Sequence, residues 1–552
     1  MKTVEKYYPV FLVIGVLLNA NGLCNEILEP DGALYATIAK HIALSGDWIN
    51  LYGDGHDWLD KPHFPFWLSA ASFKIFGINA VAYKLPAFIF WAFGILFTYR
   101  LAAELYDTDI AKVASILYVF SLHSILNNFD VRAEPYLTTL IIAAIYYTYK
   151  ATGVRKGIYI IAAAFAAACA VMTKGIFVLI TVFSGFVIYW LIDKQWKQFV
   201  NYRWWLLVFL ILLFITPELY SLYAQFDQHP EKVVFGRTGV SGLKFFFWDS
   251  QFGRFFNTGP IKGHGDPTFF LHTTLWAFLP WSIMLYLAVY QLIKTRGSVQ
   301  NSTRRWILYG SAIVTFLLFS LSRFQLPHYI VILFPHFSII TAAYLLGIKK
   351  EATLRRLTIL QITLLLLSAM AIIALSLFSG FGNNWVTIGV AVLVASFTVF
   401  FSRGPQLHKL ILASVAIPLL LFVFLLNFFY PRLLVYQAGM MAGKLLYENR
   451  INSQAATLLA SSYSFEFYAP GIVQYVNSLA DIVPFMKHDP TAAFYTNSNI
   501  LPQLQREGYQ YRVLKEFPYF HISMLTAGFL HPRTRDRELD KMVLIMLQRP
   551  VK

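Results

Sequence analysis

Apolar residues fall in long blocks along this chain. Mostly apolar runs recur near 8–24, 81–103, 111–130, 134–149, 157–172, 175–193, 204–222, 268–293, 305–322, 327–347, 355–378, 385–402 and 408–430. A helix needs about 20 such residues to cross a hydrocarbon layer. The pattern therefore predicts an α-helical polytopic membrane protein with about 13 transmembrane helices. The stretch 64–76, rich in Phe and Trp and carrying Pro62 and Pro65 at its start, reads as interfacial. Two stretches, 26–63 and 223–267, stay mixed and are expected to be large loops. After 430 the apolar blocks stop. Strand-like runs at 455–462, 491–496 and 542–548, with a helical stretch 500–507 before Gly508, predict a small α/β domain. The expected division is 1–430 for the membrane part and 431–552 for the tail. There is no fixed-period repeat and no low-complexity linker.

Composition narrows the class further. Of 552 residues, 57% are hydrophobic and 13% are charged, against roughly 25% charged in soluble domains. That excludes a soluble multidomain protein, a disordered chain and a disulfide scaffold. The net charge of +16 would suggest nucleic acid in a soluble protein. Here the positive-inside bias accounts for it, and no nucleic-acid partner is expected. Cys24 and Cys169 both sit in apolar segments without metal-ligand spacing. Lys2 and Lys6 precede an apolar run with no small-residue cleavage site, which reads as an uncleaved first span.

With the N-terminus in the cytoplasm, alternate loops collect the cations: Lys150, Arg155 and Lys156; Lys194, Lys197 and Arg203; Lys294, Arg296, Arg304 and Arg305; Lys349, Lys350, Arg355 and Arg356; Arg403 and Lys409. The opposite turns hold far fewer. The expectation is a multi-pass protein of the cytoplasmic (inner) membrane, with both large loops and the tail domain extracytoplasmic.

The charges on that outer side carry the chemistry, because ionisable groups near a bilayer are costly and face cavities. They are Asp31, Asp60, Lys61, Asp130, Arg132, Glu134, Lys174, Arg254 and Arg323. Asp31 opens an amphipathic run with Lys40 on its polar side; it fits a helix N-cap, or a general base. Lys61 before Pro62 fits an interfacial snorkel, or a phosphate ligand beside other cations. Asp130, Arg132 and Glu134 fit a turn clamp, or a second carboxylate beside Asp31. Gly175 after Lys174 is a helix breaker. His264 and Asp266, with Asp60, are weak metal candidates without helical ligand spacing, so a divalent ion is possible but unsupported. His328 and Tyr329 follow Arg323 and Pro327, where an aromatic belt residue is also expected. No P-loop, dinucleotide fingerprint or nucleophile elbow is present.

Taken in order, several short motifs resemble the GT-C membrane glycosyltransferases, nearest to the lipid A aminoarabinose transferases and the protein O-mannosyltransferases. They are Pro30-Asp31 with Tyr35; Ser45-Gly46-Asp47-Trp48; Lys61-Pro62 with Trp67; Glu134-Pro135; Met172-Thr173-Lys174-Gly175; Arg254-Phe255; Leu279-Pro280-Trp281; and Leu326-Pro327 with Tyr329. The resemblance implies transfer of a monosaccharide from a polyprenyl-phosphate donor to a lipid, glycan or protein hydroxyl. It implies Asp31 as the base, Glu134 as a second acidic position, and Lys61, Arg254 and Tyr329 as phosphate ligands. Lys174 matches a structural or donor-site lysine. No cofactor is required by such chemistry. The chain departs from the aminoarabinose transferases at Gly32-Ala33-Leu34, at Asp249-Ser250 and at Arg323-Phe324-Gln325, where sugar and acceptor are read. A different sugar and acceptor are therefore expected. A secondary transporter, or a membrane protein of polysaccharide assembly, is the alternative. Against a transporter, no paired broken helices are visible and the charges gather at one face.

Overall fold

The computed structural model describes residues 2–153, 156–295, 302–381, 389, 392, 404–449 and 454–548. Among the described residues, seven helices are long and apolar enough to cross a membrane, and nine if each bent pair counts as one span. The seven are Tyr7–Cys24, Ala80–Leu105, Gly157–Lys174, Thr303–Leu321, Pro327–Gly347, Glu351–Ser379 and Gln406–Tyr436.

The expected spans at 111–130 and 204–222 are the bent pairs: Thr108–Val119 with Leu122–Phe129, at 52°, and Tyr202–Phe214 with Thr216–Asp227, at 40°. At the first bend, Ser121 is extended and the Leu122 amide donates to the Leu279 carbonyl of another segment instead of to its own helix. At the second, Pro217 lacks the amide hydrogen a continuous helix needs. The runs at 134–149 and 175–193 form helices Glu134–Lys150 and Val178–Ile192, of 17 and 15 residues. The run at 268–293 divides into Phe269–Ala277 and Ser282–Lys294 around Pro280. Most of 385–402 lies outside the described residues, as do Arg155, Arg296 and Arg403.

The first large loop contains helix Asp31–Ser45 and a two-residue hairpin of β1 (Tyr52–Gly53) and β2 (His56–Asp57), and helix Phe64–Phe76, the stretch expected to be interfacial, follows it. The tail builds a five-stranded sheet from β3 (Ala455–Leu458), β4 (Gln474–Val476), β5 (Ala493–Asn497), β6 (Gln510–Tyr519) and β7 (Asp540–Gln548). Its order is β4-β3-β5-β7-β6. β3 runs parallel to β4 and β5, while β7 is antiparallel to β5 and β6. β3 is buried throughout, as the apolar run of a central strand requires. β4 and β6 lack that signature: one is three residues long, and the other is a largely exposed edge carrying Arg512, Lys515 and Glu516.

The tail domain grips the segment that leads into Asp31. Gln437 accepts from the Glu29 amide at 3.0 Å and donates to the Ile27 carbonyl at 3.0 Å. The Tyr468 hydroxyl accepts from the Ile27 amide at 2.8 Å and donates to Glu26 at 2.7 Å. Lys444 pairs with Glu26. Glu29 accepts from the Ser462 hydroxyl and from the Ser464 amide, at 2.9 and 2.6 Å. Lys40, expected on a polar helix face, is instead 2% exposed. Its three ammonium hydrogens find the carbonyls of Glu466, Phe467 and Ala469 at 2.5, 3.2 and 2.6 Å. Burial of a Lys is tolerable when every donor is met.

Candidate functional site: a charged pocket at one end of the bundle

Seven of the nine singled-out charges meet. Asp31, Asp60, Lys61, Arg132, Glu134, Lys174 and Arg254 line one pocket of about 200 Å³, together with Tyr35, His328 and Tyr329. They come from five separate segments, so only the fold joins them.

Asp31 is the first residue of its helix, and its side chain makes no cap bond; Pro30 holds the N-cap position. The N-cap reading of Asp31 is therefore set aside. Its carboxylate instead takes the Arg132 guanidinium at 2.7 Å. Arg132 also donates twice to Asp130 Oδ2, at 3.1 and 2.9 Å, which is the expected turn clamp. Burial raises the Asp130 carboxyl, and the adjacent Arg132 works against that rise. Asp130 stands behind Arg132 and does not line the pocket. A third contact of Arg132, at 3.3 Å, reaches His328 Nδ1. Since guanidinium only donates, Nδ1 accepts there. His328 Nε2 then faces Glu134 Oε1 at 3.8 Å.

Glu134 begins helix Glu134–Lys150 and is 1% exposed. Its Oε1 accepts from Lys174 at 2.7 Å. Its Oε2 is buried with no hydrogen-bond partner among the described residues. A buried orphan acceptor costs about 1–3 kcal/mol, so this oxygen is poised for an incoming donor. The Lys174 ammonium lies 3.6 Å from the centre of the Tyr329 ring. Gly175 follows with φ of +105°, and the Gln251 amide occupies the place a side chain there would need. Gln251 also donates to the Lys174 carbonyl at 3.1 Å, which fixes the second large loop against this turn.

Asp60 stands between two cations: Lys61 at 2.7 Å and the Arg254 guanidinium. Burial alone would raise its carboxyl, but the two cations hold it at about 2. The loop is pinned just beyond, where the His63 amide and ring Nδ1 each meet Glu218 at 3.0 Å. Glu218 is fully buried. A small gap lined by Lys61, Lys174, Glu218 and Arg254 adjoins the pocket. From Lys174, Arg254 and Tyr329, a crevice of about 100 Å³ runs down between the helices past Thr181, Leu318, Phe319 and Ile332. The charged pocket thus sits at the mouth of an apolar one.

Arg323, His264 and Asp266 stand away from the pocket. Arg323 is exposed and its side chain lines no part of the pocket; only its amide is engaged, donating to the Phe255 carbonyl at 3.1 Å. Its place beside Pro327 in sequence put it near the site, but the chain turns it outward. His264 and Asp266 are both exposed, and Asp266 caps the Thr268 amide at 2.8 Å. Among the described residues, no three His, Cys, Asp or Glu side chains gather as a metal would require. The sequence reading also passed over His63, Glu218, Gln251 and Gln437. Buried polar residues inside apolar or loop segments were their only signal.

Comparison with known proteins agrees with this architecture. The family model described as dolichyl-phosphate-mannose-protein mannosyltransferase matches residues 60–220. An uncharacterized protein of Aquifex aeolicus is 24% identical over 347 residues, 62% of this chain and 64% of that one. An undecaprenyl phosphate-alpha-4-amino-4-deoxy-L-arabinose arabinosyl transferase of Pseudomonas paraeruginosa is 27% identical over 310 residues, 54% of this chain and 52% of its own length. The chain thus spans between about half and two thirds of these relatives. The crystal structure of ArnT from Cupriavidus metallidurans, bound to undecaprenyl phosphate, superposes with a TM-score of 0.73 over 98% of both chains at 17% identity. Its apo state superposes equally well, at 0.73. The fold is the GT-C fold of that aminoarabinose transferase, and the chain resembles that superfamily.

Proposed function

We propose that this chain, built on the GT-C fold, is a glycosyltransferase that moves a monosaccharide from a polyprenyl-phosphate donor to a hydroxyl acceptor on the extracytoplasmic face. One observation carries the reading. Asp31, Lys61, Glu134, Lys174, Arg254 and Tyr329 converge on one pocket at the mouth of an apolar crevice. That arrangement suits a ligand with a charged head and a hydrocarbon tail. The bias of Lys and Arg toward the opposite end supports the extracytoplasmic placement.

In this reading the donor phosphate lies against Lys61 and Arg254, with the Tyr329 hydroxyl as a further donor. Asp60 keeps both cations charged and pointed. The acceptor hydroxyl enters beside Asp31. Its oxygen forms a bond to the anomeric carbon as the bond from that carbon to the phosphate oxygen breaks. Asp31 takes the hydroxyl proton, and the polyprenyl phosphate leaves with the electron pair. Attack opposite the leaving group inverts the anomeric centre. Arg132 fixes the orientation of the Asp31 carboxylate. The free Oε2 of Glu134 accepts from a sugar hydroxyl or amine. The two cations stabilise the charge that develops on the phosphate, and the reading calls for no divalent ion.

The test is transfer of radiolabelled sugar from a panel of polyprenyl-phosphate sugars, by wild type and Asp31→Asn, to lipid, glycan and peptide fractions of the native membrane. Label reaching one fraction with wild type alone supports the reading and names the acceptor class. No movement from any donor, in membranes where a control transferase works, refutes it.

A further inference from the structure

His328 stands in the pocket with its ring hydrogen assigned by its neighbours. The Arg132 guanidinium reaches ring Nδ1 at 3.3 Å and can only donate, so that nitrogen keeps its lone pair. A neutral imidazole carries one ring hydrogen, which must then sit on Nε2. Turning the ring over exchanges the two nitrogens and leaves the count unchanged, because whichever faces Arg132 accepts. The ring is held edge-on to Tyr329, with centroids 5.0 Å apart and planes at 87°. Glu134 Oε1 lies 3.8 Å from Nε2, too far for a hydrogen bond, and already accepts from Lys174 at 2.7 Å. Among the described residues, the Nε2–H meets no acceptor at hydrogen-bond distance. The pocket therefore holds one unspent donor, beside the unspent acceptor Glu134 Oε2.

Such a pair suits a hydroxyl, which accepts and donates through one oxygen. An ammonium only donates. It would satisfy Glu134 Oε2 but bring its hydrogens against the Nε2–H, with no lone pair between them. Charge points the same way. Lys61 and Arg254 share the one carboxylate of Asp60, which leaves a single positive charge for a phosphate diester. Glu134 is matched one for one by Lys174. Asp31 and Asp130 share Arg132, but the negative charge left over there sits on the proposed base. A cationic substituent brought to Glu134 meets Lys174 already in place, with Arg132 just behind His328, and like charges so close repel.

We propose that His328 and Glu134 together read a hydroxyl of the transferred sugar, and that this sugar carries no amine at the position they read. The inference rests on the transferase reading and narrows its donor. His328 is a specificity-determining residue here: its Nε2–H ranks sugars and takes no part in making or breaking bonds. Arg132 is shared between the base and this reader, so the residue that orients Asp31 also fixes which way His328 donates.

The test measures equilibrium binding to the full chain in nanodiscs, at a pH that keeps a sugar amine protonated. The probes are undecaprenyl phosphate alone, its glucose and arabinose esters, and the analogues of each in which an amine replaces one free hydroxyl at a time. In the series that binds better, an amine at one position should weaken binding about tenfold, and an amine at no position should strengthen it. Equal binding of every analogue, or tighter binding of any amine, overturns the proposal. His328→Leu should erase that tenfold penalty. His328→Gln should keep it, since an amide can accept from Arg132 and still donate into the pocket. Undecaprenyl phosphate alone should bind both variants as it binds wild type. A penalty that survives in His328→Leu overturns the role of His328. An equal loss for undecaprenyl phosphate and every sugar in both variants makes the residue structural, and overturns it as well. The same donors are then offered for transfer to membrane fractions. A hydroxyl preference in binding with no transfer from any donor refutes the transferase reading and leaves the reader standing. Transfer that runs faster from an amino sugar than from its parent refutes the reader and keeps the transferase.

Discussion

The Lys40 ammonium donates to the Ala469 carbonyl at 2.6 Å, joining the helix that begins with Asp31 to a residue 429 positions later in the tail domain. It also reaches the carbonyls of Glu466 and Phe467. Lys40→Met keeps most of the volume but leaves these buried carbonyls unmet. We expect a loss of about 3 kcal/mol in thermal unfolding of the solubilised protein. Early cleavage between the tail and the bundle should accompany it in limited proteolysis. An unchanged melting temperature would show that the tail does not depend on this contact.

Asp31 touches Arg132 and caps nothing, so its removal should be silent for folding. Asp31→Asn is expected to cut transfer about 1000-fold with a normal melting curve. Arg132→Lys keeps the charge but loses the fork shared between Asp31 and Asp130. About a tenfold fall in kcat is expected, with donor KM unchanged. A fall in melting temperature that accounts for the lost activity in Asp31→Asn would instead assign that residue a structural role.

Lys61 and Arg254 share Asp60 and face the same pocket. If the proposed donor phosphate lies against them, Lys61→Ala and Arg254→Ala should each raise the donor KM about tenfold, since each would delete one charge-assisted contact to it. Their double variant should lose less than the product of the two, because both lean on one carboxylate. Steady-state kinetics against donor concentration decides this.

Two buried carboxyls should titrate stability in opposite directions. Burial raises Glu466 from 4.5 to about 7, so the folded state keeps a proton that the unfolded state has released. Its contribution is intact below pH 4.5 and is lost as pH rises through about 7. Asp60 is held at about 2, against an ordinary 3.8, by Lys61 and Arg254 overcoming its burial. Its contribution is present above pH 3.8 and is lost as pH falls toward 2. Glu466→Gln should flatten the first slope and Asp60→Asn the second, in melting temperature measured across pH.

Much of the site was legible in the chain because charges are rare there and each one near a bilayer needs a reason. Asp31, Lys61, Glu134, Lys174 and Arg254 stood out on that ground, and the fold brings all five together. Arg323 stood out equally and does not belong, since rarity says nothing about which way a turn points its side chain. Lys40 and Gln437 were invisible for the opposite reason. Their partners lie more than 400 positions away, and no local pattern records a contact of that range. The bent pairs read as single spans because hydropathy counts apolar residues and ignores backbone continuity at Ser121 and Pro217. Strand β6 was missed because an exposed edge strand lacks an apolar alternation.

Helices Val178–Ile192 and Trp306–Leu321 cross where Gly185 meets the backbone at Ile307 and Gly310. A side chain at Gly185 would run into the Ile307 carbonyl. The same two helices supply Thr181, Leu318 and Phe319 to the crevice beneath the charged pocket. They behave as the blades of a pair of scissors pinned at the glycines, so bulk added at the pin opens the mouth. The caliber of the crevice is set by two missing side chains that do not line it.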